Sequence, residues 1–342
     1  MFVRLRLAKP FRQSAKPFVA LQYRSANPRS PFVAGKSVKL LKSHGLGTLP
    51  GHLLTIVFCL STFNPMDASQ SPHSRQALSR FIVARLAAVK DQLHADFTQP
   101  GRIASCYVDD FLPEEIAREI YAAFPDPTQM AERRSIREYK KVAAQMDQYH
   151  PLLEEIIYAF QEPEVVALVE KITGIPEMQP DELLYAGGIS LMGKGNFLNP
   201  HLDNSHDNDR KLYRVLNLLY YVTPEWQEAN GGNLELWDHG PDQPQRTIVS
   251  KFNRLALMIT NRTSIHSVSK VVADGNRCCV SNYYFSTRPA DPKEYFHVTS
   301  FYGRPEEPIK KVVLKADREV RNLLRKVVGK PVHQTKHIYR KG

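Results

Sequence analysis

Four residues in the second half of the chain could do chemistry together. They are His201 and Asp203 in PHLD, His266 in SIHSV and Arg277 in GNRCC. Two imidazoles and one carboxylate, closing on one face of an octahedral ion, are a donor set for iron. Three positions then stay open, enough for a bidentate co-substrate and O2. Arg277 follows His266 by 11 residues. Its planar guanidinium could hold a carboxylate through two parallel hydrogen bonds. A metal triad beside a carboxylate clamp is the minimum kit for an oxidation driven by 2-oxoglutarate.

The pattern must be weighed against simpler readings. H-x-D alone is weak, because two residues match by chance in many chains. Residues i and i+2 of a strand share a face, so His201 and Asp203 can serve one ion if a strand carries them. Pro200 would stiffen the entry. His206 with Asp207 or Asp209 offers a competing set, and His239 lies in a Gly-Pro loop. DNSHDNDRK, residues 203–211, reads as a solvated loop or lid. His266 stands 63 residues beyond Asp203, far enough for strands to intervene and return it to the same site. For Arg277 the plain alternative is an ion pair with an internal Asp or Glu. An arginine entering an apolar run such as CCVSNYYF needs an anion of some kind.

The elements that must position these residues change character along the chain. Leu78, Phe81, Ile82, Leu86 and Val89 recur at helical spacing within 74–97. SCYVDDFL, 105–112, reads as a strand, and Pro113 opens a helix with acids in its first turn. Two more helices are expected near 151–161 and 163–173, the second ended by Gly174 and Pro176. From about 183 short runs rich in β-branched and aromatic residues follow: LLYAGGISLM, YRVLNLLYYVT, GNLELWD, RTIVS, RLALMIT and NRCCVSNYYFST. Helices first and close-spaced strands after predict a mainly β fold, a sandwich or barrel with flanking helices. Past 304 the chain is basic again. Val320, Leu323, Leu324, Val327 and Val328 form an apolar stripe, read as a helix docked on the body. Four parts follow: an extension, 1–65; a helical part, 66–182; a β core, 183–303; and a basic helix and tail, 304–342.

The formal charge of +11 on 342 residues suggests nucleic acid until it is mapped. Residues 1–65 hold ten Lys/Arg and no Asp or Glu, whereas the rest holds 36 basic and 35 acidic residues. The folded part is nearly neutral, so no general grip on phosphate backbones is expected. The extension resembles a transit peptide in composition. Its apolar run at 53–63 is 11 residues long, too short to span a bilayer. Met66 opens a stretch that reads as an ordinary protein start, so a disordered or targeting extension and an over-extended start both stay open. Cys59, Cys106, Cys278 and Cys279 lack metal spacing. Cys278 and Cys279 read as buried neighbours on opposite faces of a strand. Free thiols fit a reducing compartment, and the expectation is a cytoplasmic protein.

The segment 183–288 resembles the catalytic core of prolyl 4-hydroxylase-like 2-oxoglutarate/Fe(II)-dependent oxygenases. The resemblance rests on PHLD, RVLNLLYYVTPEW, GGNLELWD, SIHSV and GNR, with YVDDFLPEEIAREI as a similar entry segment. It implies a double-stranded β-helix (jelly-roll). His201, Asp203 and His266 would bind Fe(II), and Arg277 the distal carboxylate of 2-oxoglutarate. Tyr185 and Asn217 would lie on strands lining the cofactor pocket. Cys279 stands where many members have serine, so Ser281 is the substitute. The implied reaction is hydroxylation of a prolyl or other peptide side chain, or of a small molecule. It uses O2, releases succinate and CO2, and has ascorbate as reductant. Two other classes compete: a non-catalytic jelly-roll binding protein and a zinc-dependent cupin-like enzyme, since the same donors suit zinc.

Overall fold

The computed structural model describes residues 71–316 and 338–339. The expectations for residues 1–65, and for the apolar stripe from Val320 to Val328, lie outside the described residues. The order of elements is α1 (Arg75–Phe97), β1 (Ser105–Val108), α2 (Glu114–Ala122), β2 (Ala131–Arg134), β3 (Glu138–Ala143), α3 (Pro151–Ala159) and α4 (Pro163–Thr173). There follow β4 (Met178–Pro180), β5 (Gly188–Gly193), β6 (Phe197–Leu202), β7 (Tyr213–Tyr221), β8 (Leu234–Leu236) and β9 (Arg246–Ile248). The last are β10 (Arg254–Ile259), β11 (His266–Val268), β12 (Asn276–Ser286) and β13 (Ser300–Phe301). Residues 308–316 are helical.

Every strand pairing is antiparallel, and one continuous path runs β1-β10-β7-β12-β5-β3-β6-β11-β8-β9. β3 pairs with β5 through one part of its length and with β6 through the other. That shared strand turns the sheet back on itself. The result is a jelly-roll with β5, β7 and β12 in one wall and β6, β8 and β11 in the facing wall.

Helices cover the outer face of the first wall. In α1, Leu78, Ile82 and Leu86 recur every four residues, so they line one stripe, and all three are fully buried. Ser74 caps the helix start by accepting a hydrogen bond from the Ala77 amide. α4 ends at Gly174, whose φ of 71° is the left-handed turn that glycine adopts without strain. Helix residues Ile120, Ile156 and Val169 share one core with Leu216, Leu218 and Tyr220 of β7 and Cys278 and Val280 of β12. Burying each large apolar side chain contributes roughly 1.5–3 kcal/mol. This core is what keeps the first wall rigid.

Two expectations for local structure are corrected. Only Ser105–Val108 of SCYVDDFL is strand; Asp109 to Leu112 leave the sheet. The Phe111 amide bonds to the Asn253 backbone carbonyl, and the Leu112 amide to the Asn253 side chain. The part expected to be helical, 66–182, also supplies β1 to β4 to the sheet. Cys278 and Cys279 are buried on opposite faces, Cys278 toward the helices and Cys279 toward the cavity.

Gly188 shows how tightly β5 is seated. Its φ is +119°, and a Cβ there would lie 2.2 Å from the Ala143 carbonyl oxygen of β3. Substitution would combine backbone strain with an impossible contact. Gly188→Ala is expected to destabilise the fold by at least ~2 kcal/mol, read as a lowered denaturant midpoint; an unchanged midpoint would refute this seating.

Candidate active site

The two walls enclose a cavity of about 320 Å³. His201, Asp203 and His266 meet in it, each offering one ligand atom, with these atoms within 4.8 Å of one another. Strand alternation alone would not achieve this. Opposite β11, His266 faces His201 and Val268 faces Leu198, so β6 holds one residue more than its partner over this stretch. This β-bulge contains Pro200, and a strand tolerates proline at such a break. Leu198 lines the cavity, and without the extra residue His201 would point away from it. β6 ends at Leu202, and Asp203 follows directly.

Each histidine is oriented by its own chain. His201 Nδ1–H donates to the Asn199 carbonyl at 2.9 Å, and His266 Nδ1–H to the Ser264 carbonyl at 3.0 Å. A carbonyl only accepts, so both protons sit on Nδ1 and both Nε2 lone pairs are free for a metal. The Nε2 atoms lie 3.6 and 3.7 Å from the two carboxylate oxygens of Asp203. A metal with bonds of ~2.1 Å holds adjacent ligands ~3 Å apart, so a small inward movement closes the triad. Phe301 stacks on His201 at 5.2 Å between ring centres.

Burial would raise the Asp203 carboxyl, but the Arg214 cation and the two imidazoles hold it well below the usual carboxylate range. Burial, and then repulsion from His201, pushes His266 down to about 4. At neutral pH these two donors are therefore an anion and a neutral imidazole, the forms that bind a metal.

Arg214 carries no role in the sequence reading, yet its side chain stands beside the triad. It is 5% exposed, and one terminal nitrogen (Nη1) is 3.3 Å from Asp203 Oδ2. Its guanidinium carbon lies 4.6 Å from the Tyr283 ring centre and 5.9 Å from that of Tyr185. Asn217 donates to the same Asp203 oxygen at 3.2 Å. Arg214 and Asn217 are three positions apart on one strand, so alternation would send them to opposite faces. Between β7 and β12 the register shifts: Leu216 faces Tyr284, but Arg214 faces Phe285. The extra residue, Val215, drops into the helix-covered core and lets Arg214 turn inward. The signal available in the sequence was an arginine at the head of an otherwise apolar strand.

Arg277 opens β12 in the same cavity and is 4% exposed. Among the described residues no carboxylate forms an ion pair with it. One terminal nitrogen contacts Met192 Sδ at 3.0 Å, its Nε has no partner, and its head lies 5.4 Å from the Tyr221 ring centre. The internal ion pair considered for it is thus absent among the described residues. Gly232 lies beneath its stem, where a Cβ would approach Arg277 Cγ to 3.4 Å. A buried cation without an anion is costly in isolation. The residues therefore fit a metal at the triad together with a dicarboxylate reaching Arg277.

The remaining expected residues are distributed as follows. Asn217 and Ser281 are on strands and line the cavity. Tyr185 also lines it, but from the loop before β5 and not from a strand. The Asp181 carboxylate accepts the backbone amides of Tyr185, Ala186 and Gly187 at 2.8–2.9 Å and so shapes that loop. Among the alternative donors, His206 packs at a tilt against Tyr213 and bonds to Ser205 Oγ, and Asp207 accepts the Lys211 and Leu212 amides. Neither joins the triad. No helix among the described residues is long and apolar enough to cross a membrane.

Comparison with known proteins agrees with this geometry. The chain is 34% identical over 84 residues to "Prolyl 3-hydroxylase OGFOD1" of Xenopus laevis, covering 23% of this chain and 16% of that protein. It is 28% identical over 96 residues to the Mus musculus protein of the same name, covering 27% and 17% respectively. The chain thus spans under a fifth of the length of these curated relatives. Among solved structures it is similar to a prolyl hydroxylase from Trichoplax adhaerens in complex with a hypoxia inducible factor peptide fragment. That match has 18% identity, a TM-score of 0.41, and covers 62% of this chain and 90% of the other. So loose a superposition decides nothing about substrate. The model of the 2OG-Fe(II) oxygenase superfamily matches residues 187–285, the stretch that carries the bulged strands, the triad and the buried arginine. The chain thus carries a domain of the 2OG-Fe(II) oxygenase superfamily, which implies Fe(II) as cofactor and 2-oxoglutarate as co-substrate.

Proposed function

We propose that this protein is a 2-oxoglutarate-dependent hydroxylase, with His201, Asp203 and His266 as iron ligands and Arg277 as the clamp for the co-substrate. When bound, iron and 2-oxoglutarate supply the power to insert one oxygen atom from O2 into a substrate C–H bond, with release of succinate and CO2. The chain's own work is positioning. The two Nδ1–H bonds to backbone carbonyls fix the imidazole planes. Arg214 and Asn217 hold Asp203 Oδ2 and so restrict rotation of the carboxylate. Arg277 receives the distal carboxylate, and Met192, Leu219, Tyr221 and Leu234 wall the cavity against water. Ser281 and Tyr185 border it with hydroxyls.

One observation carries the reading: a buried arginine without a carboxylate partner shares one cavity with a three-donor metal set. A binding protein that had lost catalysis has no evident use for both. The substrate is a peptide side chain or a small molecule, and the similarity to two prolyl 3-hydroxylases favours a prolyl side chain. Ascorbate would serve as reductant. Residues 66–303 would form the catalytic domain, the part before 183 supplying helices together with β1 to β4, flanked by the extension 1–65 and the basic tail 304–342, with the cytoplasm as the proposed location.

The test is succinate formation from 2-oxoglutarate by protein purified anaerobically and loaded with Fe(II), with metal content measured alongside. Iron-dependent succinate, with no turnover on zinc, is expected. Tight stoichiometric zinc and no succinate would favour the cupin-like alternative.

A further inference from the structure

The β2–β3 hairpin leans its inner face over the cavity, and the charges on its two faces are arranged differently. On the outer face Glu132 stands opposite Lys141 and pairs with it at 3.4 Å, while Arg134 covers the ring of the opposite Tyr139 at 4.8 Å. Each charge there has a partner. On the inner face Arg133 stands directly opposite Lys140, and both line the cavity. Like charges directly opposite each other destabilise a strand pair. Glu138 relieves this unevenly: it pairs with Lys140 at 3.0 Å and feels the charge of Arg133 only at a longer distance. No ion pair to Arg133 occurs among the described residues.

The same imbalance holds for the whole cavity. Four cations line it, Arg133, Lys140, Arg214 and Arg277, against two carboxylates, Glu138 and Asp203. Lys140 is matched by Glu138, Arg214 by Asp203, and Arg277 by the distal carboxylate of the co-substrate. Fe(II) and 2-oxoglutarate add +2 and −2, so four cations against two carboxylates leave the loaded cavity at a net charge of +2. Arg133 is left over at the mouth, in a cleft whose low-dielectric walls concentrate its field. We propose that Arg133, with Lys140 beside it, binds an anionic group of the substrate, a carboxylate or a phosphate, and so selects anionic substrates. The guanidinium fork matches both groups in shape. Leu198, Val268 and Phe301 give the cavity an apolar flank near the metal, so the substrate anchors its anion at the hairpin and presents a C–H bond toward the triad. This assignment rests on the 2-oxoglutarate/iron reading of the cavity.

The experiment uses full-length protein loaded with Mn(II) and saturated with 2-oxoglutarate, so that Arg277 is filled. Two probes are titrated separately: inorganic phosphate, read by ³¹P relaxation, and propionate, read by its methyl protons. Saturable relaxation by the metal is expected for at least one probe, and which one responds identifies the anion. Arg133→Gln should weaken that binding about tenfold, and Arg133→Lys should recover part of it. If neither probe saturates, or if Arg133→Gln binds as tightly as the wild type, the anion site is refuted. The methylene protons of 2-oxoglutarate in the same tube report separately on the underlying reading. If they are not relaxed, the 2-oxoglutarate/iron assignment itself falls, and the anion site with it.

Discussion

Replacing His201, Asp203 or His266 by alanine is expected to lower iron-dependent succinate formation at least ~10³-fold, a loss of roughly 4 kcal/mol of transition-state stabilisation. Each variant removes one of the three protein donors that converge within 4.8 Å of one another among the described residues. His206 and Asp207 are committed to the loop between β6 and β7. The three should not behave alike in stability, however. The imidazoles bond only to backbone carbonyls of their own segments, so their loss leaves no charge stranded. Asp203 is the counter-ion of buried Arg214. Asp203→Ala leaves that cation unpaired and should cost about 3 kcal/mol of apoprotein stability. Asp203→Asn, which still offers an oxygen toward Arg214, should cost less while remaining inactive. The measurements are succinate yield, anaerobic iron stoichiometry and denaturant midpoints. Near wild-type turnover in any one alanine variant would remove that residue from the ligand set.

The second large effect separates Arg277 from the metal. Arg277→Ala should raise the KM for 2-oxoglutarate more than about tenfold, because a desolvated two-pronged charge pair is worth roughly 2–5 kcal/mol when one partner is removed. Iron binding should change little, since Arg277 does not contact the triad. Arg277→Lys should rescue only in part, because an ammonium lacks the planar fork. Stability should move the other way. Without co-substrate, Arg277 is a buried cation facing a thioether and an aromatic ring. Arg277→Met removes that charge at similar volume and should leave the apoprotein as stable as the wild type or more so. In exchange, 2-oxoglutarate should raise the Tm of the wild type but no longer that of the variant. A destabilised Arg277→Met apoprotein, or an unchanged KM in Arg277→Ala, would place the clamp elsewhere.

The gap between what is legible in the sequence and what is not follows strand register. Donor types are written in the chain: PHLD, SIHSV and GNR name the triad and the clamp. Helical stripes such as Leu78, Ile82 and Leu86 are legible because helix periodicity is local. The alternation that sends Cys278 and Cys279 to opposite faces is local too. Bulges are not. One extra residue at Pro200 turns His201 inward, and one at Val215 turns Arg214 beside Asp203. Neither can be read from the strand's own pattern, since a bulge exists only relative to the strand opposite. For the same reason the sequence did not disclose the β2–β3 hairpin. AERRSIREYKKVA is too charged to look like a strand, and it becomes one because β3 is held between β5 and β6. The family resemblance places Tyr185 on a strand, and LLYAGGISLM reads as one, yet the Asp181 carboxylate folds the start of that run into a loop. By itself the sequence determined which atoms could bind a metal and a carboxylate. Tertiary structure decided which of them face the same cavity, because a single-residue shift between paired strands reverses the direction of every side chain beyond it.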